Sequence, residues 1–308
     1  METVNFSDKL LRAVEEKQNS VCVGLDPRFS EIPFFIVQEQ IKKYGKTLDA
    51  IGASIFHFNK KIIDAIANIV CVVKPQLAFY ECYGIAGMKA FISTIQYAKK
   101  KGLLVIADGK RNDISSTAQA YAEGYLGEVD FFDQKKKIFD ADALTITPYL
   151  GSDGILPFVE QCNRHGKGIF VLVKTSNKSS GEIQNLSMNK KYLYEHIANL
   201  VRNWGMLSQG SGTYSNVGAV VGATFPKEAA LLRKIMPEQI FLVPGYGAQG
   251  ATAKDVVHCF NKDRTGAIIN ASRSIIFACK NPKDDRFTED VVQATLKMRD
   301  EILTALKR

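Results

Sequence analysis

Asp108, Lys110 and Asp113, three of the four charged residues within six positions, follow directly on the apolar run Leu103-Leu104-Val105-Ile106-Ala107. Such a run reads as a strand buried on both faces, and placing charge at its end is costly unless something compensates it. A lysine wedged between two carboxylates is held protonated by them, which suits it to donate a proton where negative charge develops. The same residues also describe an ordinary solvated salt bridge. Asp-x-Lys-x-x-Asp is a short pattern, and on these residues alone both readings stand.

A second group lies far along the chain. Pro244-Gly245-Tyr246-Gly247-Ala248-Gln249-Gly250 and Asn270-Ala271-Ser272-Arg273-Ser274 each follow an apolar run. Glycine backbone, Gly247 included, allows close approach and offers N–H groups to an anion, and Arg273 can grip a phosphate with two parallel hydrogen bonds. Alternatively, the glycines serve turns and Arg273 meets a surface carboxylate. Phosphate binding is the expectation if these runs are the last two strands of a barrel, where such sites commonly lie.

The elements that must position these groups repeat one grammar: an apolar run, then polar residues, then a helical stretch. The runs are Val21–Leu25 before Asp26-Pro27, Cys71–Val73 before Lys74-Pro75, Leu103–Ala107, Ala143–Ile146 before Thr147-Pro148, Gly168–Val173 before Lys174-Thr175-Ser176-Asn177, Val217–Ala223, Ile240–Val243 and Ala267–Ile269. Eight buried strands separated by helices predict a (β/α)8 TIM barrel, with polar strand ends where such barrels carry active sites. A doubly wound sheet also alternates, but Gly24-Leu25-Asp26-Pro27 is not a dinucleotide fingerprint. Flanking helices are expected over about 7–18, capped by Ser7 and closing the barrel floor, and over about 288–307. Residues 31–69 read as helix in two pieces broken near Gly45 or Gly52, further helices are expected at 84–100 and 190–204, and residues 176–190 as a long polar loop. No linker composition marks a second domain, so a single barrel over 1–308 is expected.

Composition narrows the classes. The chain has 308 residues, 46% hydrophobic and 23% charged, as in ordinary globular proteins. Its net charge of +8 is spread out, so nucleic acid is not an expected partner. Lys135-Lys136-Lys137, the longest basic run, reads as a solvated helix face. Six cysteines without a C-x-x-C pair and four dispersed histidines suggest neither disulfides nor a metal site. No stretch is apolar enough to span a bilayer, and Met1–Phe6 lacks the pattern of a leader, so no membrane partner and a cytoplasmic address are expected.

Seven motifs in order resemble the orotidine 5′-phosphate decarboxylase family, in its longer second type. They are Gly24-Leu25-Asp26-Pro27, Lys74-Pro75-Gln76, Asp108-Gly109-Lys110-Arg111-Asn112-Asp113-Ile114, Thr147-Pro148-Tyr149-Leu150-Gly151, Val173-Lys174-Thr175-Ser176-Asn177, Pro244-Gly245-Tyr246-Gly247-Ala248-Gln249 and Asn270-Ala271-Ser272-Arg273. The resemblance implies decarboxylation of orotidine 5′-monophosphate to uridine 5′-monophosphate, without metal or organic cofactor. It implies Lys110 as proton donor to C6, Asp108 and Asp113 as the charged network around it, and Asp26 and Lys74 as ribose ligands extending that network. Ser176 with Thr175 would meet the pyrimidine edge, and Gln249 and Arg273 the phosphate. The family is dimeric with shared sites, so Asp113, Ile114 and Thr117 are expected to reach into a partner's site. Two rivals are a metal-dependent sugar-phosphate lyase on the same barrel and a non-catalytic barrel that only binds a pyrimidine nucleotide.

Overall fold

In the computed structural model, which describes residues 4–307, eight parallel strands close into a barrel. Met1-Glu2-Thr3, part of the stretch read above for a leader, lies outside the described residues. The strands are β1 (Val21–Leu25), β2 (Val72–Pro75), β3 (Leu104–Arg111), β4 (Ala143–Ile146), β5 (Gly168–Lys174), β6 (Ser215–Val221), β7 (Gln239–Val243) and β8 (Ala267–Ala271). Each pairs with the next in sequence, and β8 returns to β1 with Cys22 opposite Asn270. All eight expected runs are therefore barrel strands. They were legible because a parallel strand faces apolar groups on both sides and so reads as continuous hydrophobicity.

Side chains alternate between two cores. Cys22, Val72, Ile106, Ala143, Phe170, Val220, Leu242 and Ile268 fill the barrel interior, while Val23, Val73, Val105, Leu144, Ile169, Val171 and Ile269 face the surrounding helices. The helix Phe6–Lys17 closes the floor: Phe6 and Leu10 belong to the interior core, and the Phe6 ring stands edge-on to Phe170, with centroids 5.9 Å apart. It can do so because residue 168 is glycine, whose Cβ would lie 2.2 Å from that ring. The last helix is Phe287–Leu306.

Several local expectations change. Ser7 is not the cap of the first helix; Asn5 is. The Ser7 hydroxyl instead donates to Asn216 Oδ1 at 3.2 Å, tying the floor helix to β6. The break in residues 31–69 falls at Gly45, which has φ 67° after the helix Phe34–Tyr44. Gly52 lies inside the helix Leu48–Ile66, where a Cβ would sit 2.5 Å from the Ala86 carbonyl oxygen. The lysine run 135–137 is no helix face: Gln134–Lys136 pairs antiparallel with Val129–Phe131. Residues 176–190 are not structureless, since Gly181–Gln184 is a helical turn and Ser187–Met188 pairs with Lys191–Tyr192. The helix that follows runs over Leu193–Gly205.

One buried cation holds the floor of β7 and β8. Arg233, on the helix Pro226–Ile235, donates to the carbonyls of Cys259 at 2.9 Å, Met236 at 2.7 Å, Gln239 at 2.9 Å and Gly266 at 2.9 Å. Its guanidinium carbon lies 3.5 Å from the centre of the Phe241 ring. Burial lowers its pKa to about 10, so it stays charged at neutral pH. Each carbonyl orphaned by its loss costs about 1–3 kcal/mol. Arg233→Met is expected to lower the urea midpoint by an amount equivalent to at least about 3 kcal/mol at unchanged slope, with Arg233→Lys recovering only part because it lacks the planar fork.

Candidate active site

At the carboxyl ends of the strands lies a cavity of about 570 Å³, a size suited to a small ligand. Asp26, Lys74, Asp108, Lys110, Thr175, Ser176, Gln249 and Arg273 all line it. Residues up to 247 positions apart, from Asp26 to Arg273, thus meet because each follows a strand of one closed sheet.

Charge concentrates on β2 and β3, with a hydroxyl added from β4. Lys74 Nζ donates to Asp108 Oδ2 at 2.6 Å, and Lys110 Nζ donates to Asp108 Oδ1 at 2.5 Å. Thr145, buried on β4, donates its hydroxyl to Asp108 Oδ1 at 2.9 Å and accepts the Lys110 backbone N–H at 3.0 Å. The last contact explains a local irregularity. Ala107 pairs with Leu144 and Arg111 with Ile146, so Asp108, Gly109 and Lys110 stand opposite Thr145 alone. This bulge re-aims the strand end and puts Lys110 at φ 46°, the left-handed region that costs a non-glycine residue about 1 kcal/mol or more.

The two ends of the network differ in solvation. Burial alone would drive the Lys74 ammonium toward neutrality, but Asp108 and Asp26 outweigh it and hold its pKa above the ordinary lysine value. Burial likewise opposes the Asp108 carboxylate, and Lys74 and Lys110 overcome it, holding Asp108 well below the usual carboxylate range. Lys110 keeps 45% of its side chain exposed, against 6% for Lys74. One ammonium is therefore locked in the wall while the other reaches into the cavity.

On the neighbouring wall, beyond β5, Gln184 accepts the Thr175 N–H at 3.0 Å and donates to the Thr175 hydroxyl at 2.7 Å, and it too faces the cavity. The turn carrying it is tied down by Lys174, whose Nζ donates to Asn185 Oδ1 at 2.6 Å. Lys174 is buried between the rings of Tyr194 and Phe225, at 5.2 and 4.7 Å. Burial lowers its pKa, partly offset by Glu228. The glycine-rich loop turns at Gly245, Gly247 and Gly250, all at positive φ. Gly247 makes the turn behind the cavity rather than lining it, and the Tyr246 hydroxyl donates to Glu301 on the last helix.

Not every expected residue comes to this cavity. Asp113, Ile114 and Thr117 lie outside its lining. Asp113 Oδ1 accepts the Ile114 N–H at 2.8 Å rather than pairing with Lys110. Conversely, the cavity includes Arg28, Thr145, Gln184 and Asn270, to which sequence reasoning gave no role. Thr145 carried a usable signal as the one polar residue inside the apolar run Ala143–Ile146. Gln184 carried none, since nothing local distinguishes it from any loop glutamine.

A closed parallel barrel with buried, mutually compensating charge at its carboxyl mouth defines a (β/α)8-barrel enzyme. A family model described as orotidine 5′-phosphate decarboxylase / HUMPS matches residues 19–285. Relatives named orotidine 5′-phosphate decarboxylase include one from Caldicellulosiruptor bescii, 42% identical over 98% of this chain and 99% of its own. Another, from Rhodopirellula baltica, is 43% identical over 97% and 99%. The structure titled Leishmania donovani OMP decarboxylase is 31% identical with a TM-score of 0.75, covering 99% of this chain and 100% of that one. The chain belongs to the orotidine 5′-phosphate decarboxylase / HUMPS family.

Removing the central carboxylate leaves two ammonium groups facing each other, one of them buried. Asp108→Asn is expected to cost about 3–5 kcal/mol at pH 7. Because the folded-state pKa of Asp108 is depressed, its stabilisation is full above about pH 4 and is lost as the pH falls toward that folded value. The gap between wild type and variant should therefore narrow in acid, read from urea midpoints at several pH values.

Proposed function

We propose that this chain decarboxylates orotidine 5′-monophosphate to uridine 5′-monophosphate and CO2. The observation that carries this reading is the Lys74–Asp108–Lys110 network, with its one half-exposed ammonium, across one cavity from the glycine-rich loop and Arg273. Breaking the bond from C6 to the carboxylate leaves an electron pair on C6 with no adjacent carbonyl to take it up. A fixed positive charge beside C6 stabilises that pair. In this reading the Lys110 ammonium supplies the charge and then the proton that forms the C6–H bond, and the resulting amine regains its proton from solvent. Asp108 keeps Lys110 protonated and aimed, and Asp26 and Lys74 hold the ribose. Thr175 and Ser176 meet the pyrimidine edge. Gln249 and Arg273, with backbone in the loop around Gly247, hold the phosphate, whose binding energy can orient the distant reacting bond.

A second copy of the chain completes the site in this proposal. Asp113, Ile114 and Thr117 belong to a face with Ile114 47% and Tyr149 84% exposed. The Tyr149–Gly154 turn packs beside them, since a Cβ on Gly154 would lie 2.8 Å from the Asp113 carbonyl oxygen. Apolar groups gathered so openly are suited to burial by a partner, and a two-fold partner would bring its own Asp113 toward Lys110.

Two experiments test these readings. The fall in absorbance of orotidine 5′-monophosphate should proceed with EDTA present, and Lys110→Ala should reduce kcat by at least about 10³-fold while retaining uridine 5′-monophosphate binding. Turnover that requires added divalent metal, or a Lys110→Ala variant within tenfold of wild type, overturns the mechanism. For the shared site, Lys110→Ala and Asp113→Ala should each be inactive alone and regain activity when their subunits are mixed and re-associated. No recovery despite exchange of subunits would place each site within one chain.

A further inference from the structure

Seven buried side-chain atoms among the described residues have no hydrogen-bond partner, and only two belong to residues lining the cavity: Asp26 Oδ1 and Asn270 Oδ1. A buried polar atom left unpaired costs about 1–3 kcal/mol, so one in a side chain that lines a cavity points to a ligand group that completes that side chain. Asp26 already has a proposed partner, the ribose. Asn270 has none. Resting on the reading above, we propose that Asn270 is a substrate-binding residue, its carboxamide hydrogen-bonding a ribose hydroxyl of the nucleotide.

Position and chemistry select that group. Asn270 is 7% exposed and points inward from β8, since Ile268 two residues earlier lies in the interior core and Ile269 in the outer one. It therefore stands on the floor of the cavity, above the apolar plug of Cys22 and Ile268. β8 lies between β1, which leads to Asp26, and β7, which leads to the glycine-rich loop, and Asn270 is three residues before Arg273. Thr175 and Ser176 follow β5, three strands away around the barrel. The wall that Asn270 occupies is thus the sugar and phosphate side. A carboxamide offers both a donor and an acceptor, and of the groups on that side only a sugar hydroxyl can answer either one, a phosphate dianion being limited to accepting.

The test compares wild type with Asn270→Leu and Asn270→Ala, measuring thermal unfolding without ligand and affinity for uridine 5′-monophosphate and its 2′-deoxy and 3′-deoxy forms. Replacing an unpaired polar group by an apolar one should leave the melting temperature unchanged or raised. Affinity for uridine 5′-monophosphate should fall about ten- to a hundredfold. For one of the two deoxy ligands, wild type and variants should bind alike, because the contact is already gone. Unchanged affinity for uridine 5′-monophosphate overturns the proposal. So does an equal loss for all three ligands, which would place the contact elsewhere on the nucleotide, or a lowered melting temperature with intact affinity, which would make Asn270 a structural residue. Asn270→Ala removes the carboxamide without added bulk and decides the matter if leucine does not fit. Turnover of orotidine 5′-monophosphate by the wild type, measured alongside, separates failure of this assignment from failure of the decarboxylase reading.

Discussion

The Asp108 carboxylate is the constraint to which the rest of the barrel mouth answers. It is buried at the end of β3, where an unpaired charge could not persist, and it survives there because ammonium groups from β2 and β3 and a hydroxyl from β4 converge on its two oxygens. Three neighbouring strands are thus tied together by one group. The irregular pairing of β3 with β4, the left-handed backbone of Lys110 and the buried hydroxyl of Thr145 all follow from bringing Asp108 and Lys110 to the same short span of strand. The opposite end of the barrel solves its own burial problem differently: Arg233 faces only carbonyls and an aromatic ring, so its partners are dipoles of the backbone rather than charges.

How much of this could be read from the residues depends on the range of the interaction. Strands declared themselves because burial on both faces writes itself into consecutive residues. The charged residues and Arg273 were legible as lining one cavity because they sit at strand ends, a place the fold class singles out. Lys135–Lys137 reads as a helix face in sequence because the pairing of Gln134–Lys136 with Val129–Phe131 leaves no trace in the periodicity of three lysines. Gly45 and Gly52 looked alike in sequence, and only the Ala86 carbonyl beside Gly52 shows that one glycine ends a helix while the other lets two helices approach. Ser7 had the chemistry of a cap, yet its hydroxyl is used by an asparagine 209 residues away.

The same limit applies to the candidate site. Thr145 could have been suspected as a polar residue in an apolar run, since such a residue needs an internal partner. Gln184 and the Lys174 anchor beneath it could not, because their meaning arises from a turn folding back over the end of β5. Asp113, Ile114 and Thr117 were singled out by motif, and one chain by itself gives them no contact with the cavity. A sequence motif records residues that act together without recording whether they act within one molecule.

The cavity is divided by strand. The charged cluster belongs to β2, β3 and β4, whereas the glycine-rich loop and Arg273 belong to β7 and β8, and the two groups make no direct bond. In evolutionary terms the barrel is modular across its mouth: residues in one quadrant can drift without disturbing the geometry of the other. Under the proposed reading, a lineage could therefore exchange the groups beside β3 while inheriting intact the wall that would hold the far end of the substrate.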